Sequence, residues 1–325
     1  MSSGVGRREI LALLASLAIA RSDRVRAQQA GRVYRVAFLA PFPRNHPFWS
    51  IWFDELRRYG FVEGQNLAVD PRGFGVPVAN YDAVAATLVA NNPDVIVPLG
   101  PEADRAVQAA THNVPIVAGI DDPVASKLAE SLSHPGGNLT GVALFATQLD
   151  SKRLEVLHEA VPGAKRIGIL ADPGQTASWP QLHQAGDRLG VELAFFNARS
   201  GAEIAAAIDA MAAAHMEAVN ILASPVLGGA VPLEVENLRR VKLPAMYQWP
   251  DSVTSGGLIG YGPRNDDISR LAVQQLVRVL KGEKPSDIPI VQPTNFELAI
   301  NLKTAHALGL AIPGTLLARA DRVIE

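Results

Sequence analysis

From Arg32 onward, short apolar runs alternate with segments whose apolar residues recur every three to four positions. The runs at 33–39 (VYRVAFL), 66–70 (NLAVD), 94–99 (DVIVPL), 114–120 (VPIVAGI) and 139–144 (LTGVAL) predict strands. Helices are expected between them over 47–59, 81–91, 103–111 and 123–132. The strand runs are continuous, not alternating, which is the pattern of parallel strands covered on both faces. The rhythm then restarts. A helix over 149–161 leads to a strand over 166–171 (RIGILA). Helices over 181–189, 202–214 and 233–241 then alternate with strands over 192–196, 218–222, 244–247 and 257–261. A β-α-β-α pattern repeated twice predicts an α/β protein of two doubly wound parallel-sheet lobes.

Beyond Gly262 the pattern changes. A long amphipathic helix over 266–281 carries Ile268, Leu271, Ala272, Leu276 and Leu280 at helical spacing and stops at Gly282. Pro285, Pro289 and Pro293 then punctuate an extended stretch, followed by 296–300 and a last helix near 304–308. Such a strap suits a chain crossing between lobes, not a third domain.

The N-terminus reads differently. Arg7 and Arg8 precede an unbroken run of apolar and small residues at 10–20 (ILALLASLAIA), and 25–27 (VRA) offers small residues where a signal peptidase reads. That order predicts a secretory signal peptide over 1–27. The run is shorter than the ~20 residues a spanning helix needs. The arginine pair leaves both the general secretory and the twin-arginine routes open.

Composition narrows the function classes. Of 325 residues, 48% are hydrophobic and 19% charged, enough apolar content for folded cores and against wholesale disorder. Net charge is -2, and it becomes -5 once 1–27, with five Arg and two acids, is set aside. Neither value provides an electrostatic surface for nucleic acid. The absence of Cys excludes disulfides, thiol nucleophiles and thiolate metal sites. No phosphate loop, nucleophile elbow or H-E-x-x-H motif occurs, and the seven His do not pair at metal-ligand spacing. No cofactor or metal is therefore expected. Gly136-Gly137 precedes a strand and reads as a turn.

What remains is a set of loops at the carboxyl ends of the expected strands, where open α/β sheets bind ligands. In the first half these place Phe42, His46, Gly100, Pro101, Asp121, Asp122 and Phe145. In the second half they place Asp172, Gln175, Thr176, Ser224, Pro225, Tyr247, Gln248 and Tyr261. Several loops open onto helices, whose free N–H groups and positive dipole ends suit a carboxylate or other anion. Asp122 before Pro123 is first of all a helix start, with direct ligand contact as its second reading. Trp49, Trp179 and Trp249 fall in or beside these loops with Phe48 near, and aromatic walls favour a flat or apolar ligand body. Trp52 reads as core.

The segments 60–67 (GFVEGQNL), 119–124 (GIDDPV), 134–142 (HPGGNLTGV), 296–305 (FELAINLKTA) and 307–310 (ALGL) resemble the substrate-binding proteins of bacterial ABC transporters. The similarity is to the branch with tryptophan- and tyrosine-binding lipoproteins, and it spans essentially the whole chain after the signal. It implies a periplasmic-binding-protein type I-like fold whose lobes are joined by a three-segment hinge and close on a ligand without altering it. By that likeness lobe 1 takes 32–148 plus about 263–290, and lobe 2 takes 149–262 plus about 291–325. The ligand is expected to be a small organic molecule, an amino acid or aromatic compound, contacted by the loops named above. The implied partners are an ABC permease and ATPase, and the binder is expected to be monomeric. Lipoprotein members carry a Cys after the signal; here none follows, so a free periplasmic protein is expected. Relatives often carry Asn-Pro where this chain has Asp172-Pro173, an acid that would repel a ligand carboxylate unless it serves as a cap.

Two other classes stay open at this point. An enzyme on the same bilobal fold would need His46, Asp122 and Asp172 to meet across the cleft. The ligand-sensing core of a regulator shares the fold, but the signal peptide and the lack of DNA-binding helices count against it.

Overall fold

The computed structural model describes residues 31–173 and 179–325; the expected signal peptide at 1–27 lies outside them. In the first lobe β1 (Tyr34–Leu39), β2 (Leu67–Asp70), β3 (Val95–Pro98), β4 (Ile116–Ile120) and β5 (Leu139–Ala143) form a sheet in the order β2-β1-β3-β4-β5. Every pairing is parallel. The helices α1 (Phe48–Arg58), α2 (Tyr81–Ala90) and α3 (Pro101–Ala110) follow β1, β2 and β3.

The second lobe holds β6 (Arg166–Ala171), β7 (Glu192–Asn197), β8 (Ala218–Ile221), β9 (Ala245–Tyr247), β10 (Ile259–Gly262), β11 (Glu297–Asn301) and β12 (Arg322–Ile324). Their order is β12-β11-β10-β9-β8-β6-β7, parallel except where β11 runs antiparallel to β10. This mostly parallel sheet is flanked by α4 (Asp150–Ala160), α5 (Trp179–Leu189), α6 (Gly201–Ala213), α7 (Pro225–Gly229) and α8 (Val231–Val241). The chain then runs through α9 (Asn265–Leu280) and ends with α10 (Leu302–Ala307) and α11 (Gly314–Leu317).

The continuous strand runs have a direct structural cause. Successive side chains of a strand point to opposite faces, and both faces of each sheet are covered. Val36 and Phe38 enter one core cluster with α1, while Ala37 and Leu39 enter another with α2 and α3. In β6, Ile167 and Ile169 face one cluster and Leu170 the other. A polar residue at any of these positions would be buried, so none alternates in.

Three segments carry the chain between the sheets: 144–149, 263–264 and 292–296. Helix α9 packs back on the first lobe, with Ala272, Val273 and Leu276 against Trp49, Trp52 and Leu56. The strap after it stays there, since Thr140 Oγ1 donates to the Ile288 carbonyl at 2.8 Å and Ala143 N donates to that of Val291. The chain then returns to the second lobe as β11, and Ala305 and Leu316 join that core.

One expected helix is absent. Residues 123–127 form a turn and 128–132 continue as bends and irregular backbone. Asp122 caps the turn, its Oδ1 accepting from Val124 N and Ala125 N, but Lys127 then takes φ +60°. Leu128 N and Ala129 N consequently both bond the Pro123 carbonyl and no helical ladder continues. Helix α7, helix α11 and strand β12 were not expected from the pattern; each is five residues or shorter, too brief to establish a period.

Candidate ligand site

The carboxyl ends of the two sheets face each other, and a cavity of about 160 Å³ lies between them. That is smaller than the ~300–1,000 Å³ of pockets for drug-sized ligands. Lobe 1 supplies an aromatic wall from Phe42, Phe48 and Trp52, beside Leu99, Gly100 and Pro101 at the turn into α3. Gly119, Asp121 and Leu144 come from the ends of β4 and β5, and Ala146 and Thr147 from the first crossing. The first turns of α9 add Asn265, Ile268 and Ser269. Lobe 2 contributes Ala223, Ser224, Pro225, Gly228 and Trp249.

Phe48 and Trp52 are four apart on α1, so they share one helix face. The same face packs against Phe38, whose ring meets Trp52 edge-on at 5.7 Å. This is why Trp52 reads as core in the sequence. It is nearly fully buried, yet it also forms the cavity wall. Two helices of ten or more residues, α3 and α9, start at the cavity, which puts the positive ends of their dipoles there; at α9 the Asn265 N–H already donates to Asp251 Oδ2 at 2.8 Å.

Asp121 is the one ionisable side chain among the described residues lining the cavity. Its Oδ1 accepts from Thr147 N at 3.0 Å, and its Oδ2 accepts from the Thr147 hydroxyl. Close by, Arg153 of α4 is fully buried. Its guanidinium donates to the carbonyls of Ala146 (2.8 Å), Tyr261 (2.8 Å) and Gln248 (3.1 Å), and to Asp150 Oδ1 at 2.9 Å. Burial lowers the Arg153 pKa, and the attraction of Asp150, then of Asp121, opposes that shift.

Of the residues expected at the site, Phe42, Gly100, Pro101, Asp121, Ser224 and Pro225 line the cavity together. Seven others stand elsewhere. His46 stacks behind Phe42 at 4.9 Å, its Nδ1 accepting from Phe48 N, and burial lowers its pKa. Asp122 caps the turn described above. Phe145 turns onto the lobe 1 core at φ +45°. Asp172 accepts from the Ser224 hydroxyl at 3.3 Å. Tyr247 is buried in the lobe 2 core, and Tyr261 packs against that core. Gln248 is buried, its carbonyl bonded to Arg153. Gln175 and Thr176 lie outside the described residues. Sequence reasoning about loop ends passed over Trp52, Leu144, Asn265 and Ser269. The α9 residues could have been found by noting that a helix opening just after a crossing must start at the cleft.

Two α/β lobes, three crossings and a cavity at the facing strand ends define a type I periplasmic-binding-protein fold. The profile of the family described as "ABC transporter substrate binding protein" matches residues 54–324, and the chain belongs to that family. A tyrosine-binding protein of Clostridioides difficile (strain R20291) is 25% identical over 255 residues, which span 77% of this chain and 73% of that relative. A conserved domain protein from Vibrio cholerae O1 biovar El Tor superposes with a TM-score of 0.77 at 25% identity, covering 90% of this chain and 99% of that one. An ABC domain from Streptococcus pneumonia, solved in complex with L-Trp, gives 0.73 at 26% identity over 90% and 100%. The family is one of substrate-binding proteins of ABC transporters. Among the described residues no helix is long and apolar enough to cross a membrane.

Proposed function

We propose that this chain is the exported, periplasmic solute-binding component of an ABC importer. It closes its two lobes on a small organic ligand with an aromatic or flat apolar body and delivers it to the permease. The observation that carries this reading is the aromatic cavity at the seam of the lobes, walled by Phe42, Phe48 and Trp52 from one side and Trp249 from the other. Hinge rotation is absorbed at the three crossings, and ligand that touches both lobes shifts the population toward the closed form.

The charge of the wall limits the ligand further. No Lys or Arg lines the cavity among the described residues, and the one carboxylate, Asp121, already holds Thr147 and faces the charge of Arg153. A ligand with a net charge would be buried without a counter-ion, which is costly. A net-neutral molecule fits, a zwitterion included, because the helix starts can hold a carboxylate while Asp121 accepts from an ammonium group. The relatives that bind tyrosine and L-Trp support an aromatic amino acid as the first candidate.

The test is thermal shift and tryptophan fluorescence against aromatic amino acids, aromatic acids and nucleosides. A ligand at 100 times its dissociation constant stabilises by ~2.7 kcal/mol, which a melting curve resolves. If none raises the melting temperature, the binding function is overturned. The enzyme reading gains no support from geometry: His46, Asp122 and Asp172 are each engaged elsewhere and line no common cavity.

A further inference from the structure

The two lobes touch at the cleft mouth through glycines, one on each side. A Cβ at Gly100 would stand 2.5 Å from Pro225 Cγ, and a Cβ at Gly229 would stand 2.4 Å from Phe42 Cε1. Both partners belong to the opposite lobe. Carbon atoms in favourable contact lie ~3.5–4.0 Å apart, so neither position admits a side chain while the lobes meet. The two glycines differ in cause. Gly100 has φ +98°, where glycine is required by the backbone itself. Gly229 is not in the left-handed region. The three atoms nearest to its Cβ position all belong to Phe42.

The Phe42 ring has little room to retreat, because His46 stacks on it at 4.9 Å and Phe48 abuts it at 5.1 Å. We infer that Gly229 determines closure: the space of its missing side chain is where Phe42 enters when the lobes meet, and a side chain there holds the cleft ajar. The inference rests on the hinge-closure reading and adds a residue that acts through Phe42, positioning the lobes without needing to touch the ligand.

Small-angle scattering of the unliganded chain tests it without knowledge of the ligand and without a substitution at Gly100. With Gly229 in place the profile is expected to match the lobes as they meet in the structure. Gly229→Val should raise the radius of gyration, as an overpacked contact forces the lobes apart, and Gly229→Ala should raise it less. Adding Phe42→Ala should return the radius to the native value, which a folding defect at position 229 would not allow. Equal radii with Gly and Val at 229, or no recovery with Phe42→Ala, overturns the role of Gly229 and leaves closure standing. A native profile that stays spread wider than the meeting lobes, with and without a saturating aromatic amino acid, overturns the closure reading, and this inference with it.

Discussion

Thr147 gives both its backbone N–H and its hydroxyl to the carboxylate of Asp121, while the carbonyl of the preceding Ala146 accepts from Arg153. Asp121 directly follows a strand of the first lobe and Arg153 belongs to a helix of the second. Adjacent residues of one crossing are thus gripped from opposite lobes. A joint built this way turns over few dihedrals, as hinged domains require.

The grip of Asp121 should be measurable in stability. Asp121→Ala leaves two donors without their acceptor, and hydrogen bonds to a charged group contribute about 1.5–3 kcal/mol. Urea unfolding is expected to show a loss of that size, and Thr147→Val a smaller one. An unshifted midpoint for Asp121→Ala would mean that the crossing holds its place without this contact.

Arg153 should matter more. Arg153→Met removes the donor to three carbonyls and an ion-pair partner of Asp150, which is fully buried. Breaking one side of a buried pair costs about 3–5 kcal/mol. The double variant Asp150→Asn with Arg153→Met is expected to recover part of the loss. Arg153→Lys should behave like Met, because a single ammonium cannot reach carbonyls spread around a planar fork.

Glu234 predicts a pH dependence. The side chain is fully buried with no hydrogen-bond partner for either oxygen, and burial pushes its pKa well above the usual glutamate range. The neighbouring Tyr247 is pushed up as well, by burial first and then by Glu234. A raised folded pKa contributes stability that is present below the usual glutamate range and lost as pH rises toward the folded value. Glu234→Gln should therefore gain on the native chain as pH rises above the usual glutamate range, the direction that this linkage sets. A melting-temperature difference that stays constant with pH refutes the buried acid.

Ligand charge offers the sharpest functional test. L-Tyrosine, tyramine and phosphotyrosine share a ring but differ in net charge. Any member of an aromatic panel that raises the melting temperature is expected to be net-neutral at neutral pH. Strong stabilisation by a cationic or dianionic aromatic alone would require an ionic partner in the cavity beyond Asp121.

Much of this architecture was legible in the chain itself. Both lobes, the continuous strand runs and the strap after α9 follow from local period and proline spacing, because burial on both faces writes itself into consecutive residues. The failures were also local in cause. Residues 123–132 look helical until Lys127 turns to positive φ, and Trp52 looks like core because its helix face serves core and cavity together.

Half of the site depended on contacts that no single segment encodes. Sequence alone pointed to the strand ends as the place for a cavity, and Phe42, Gly100, Asp121 and Ser224 do line the one found there. It could not tell Trp249 at the wall from Tyr247 in the core, since side chains two apart in the sequence diverge once the strand ends and the chain turns. Nor could it say that Gly229 lies against Phe42, or that Arg153 reaches three carbonyls. Those facts exist only when two separately folded lobes are brought together, and the geometry of that meeting is set by the crossings, not by the pattern along either lobe.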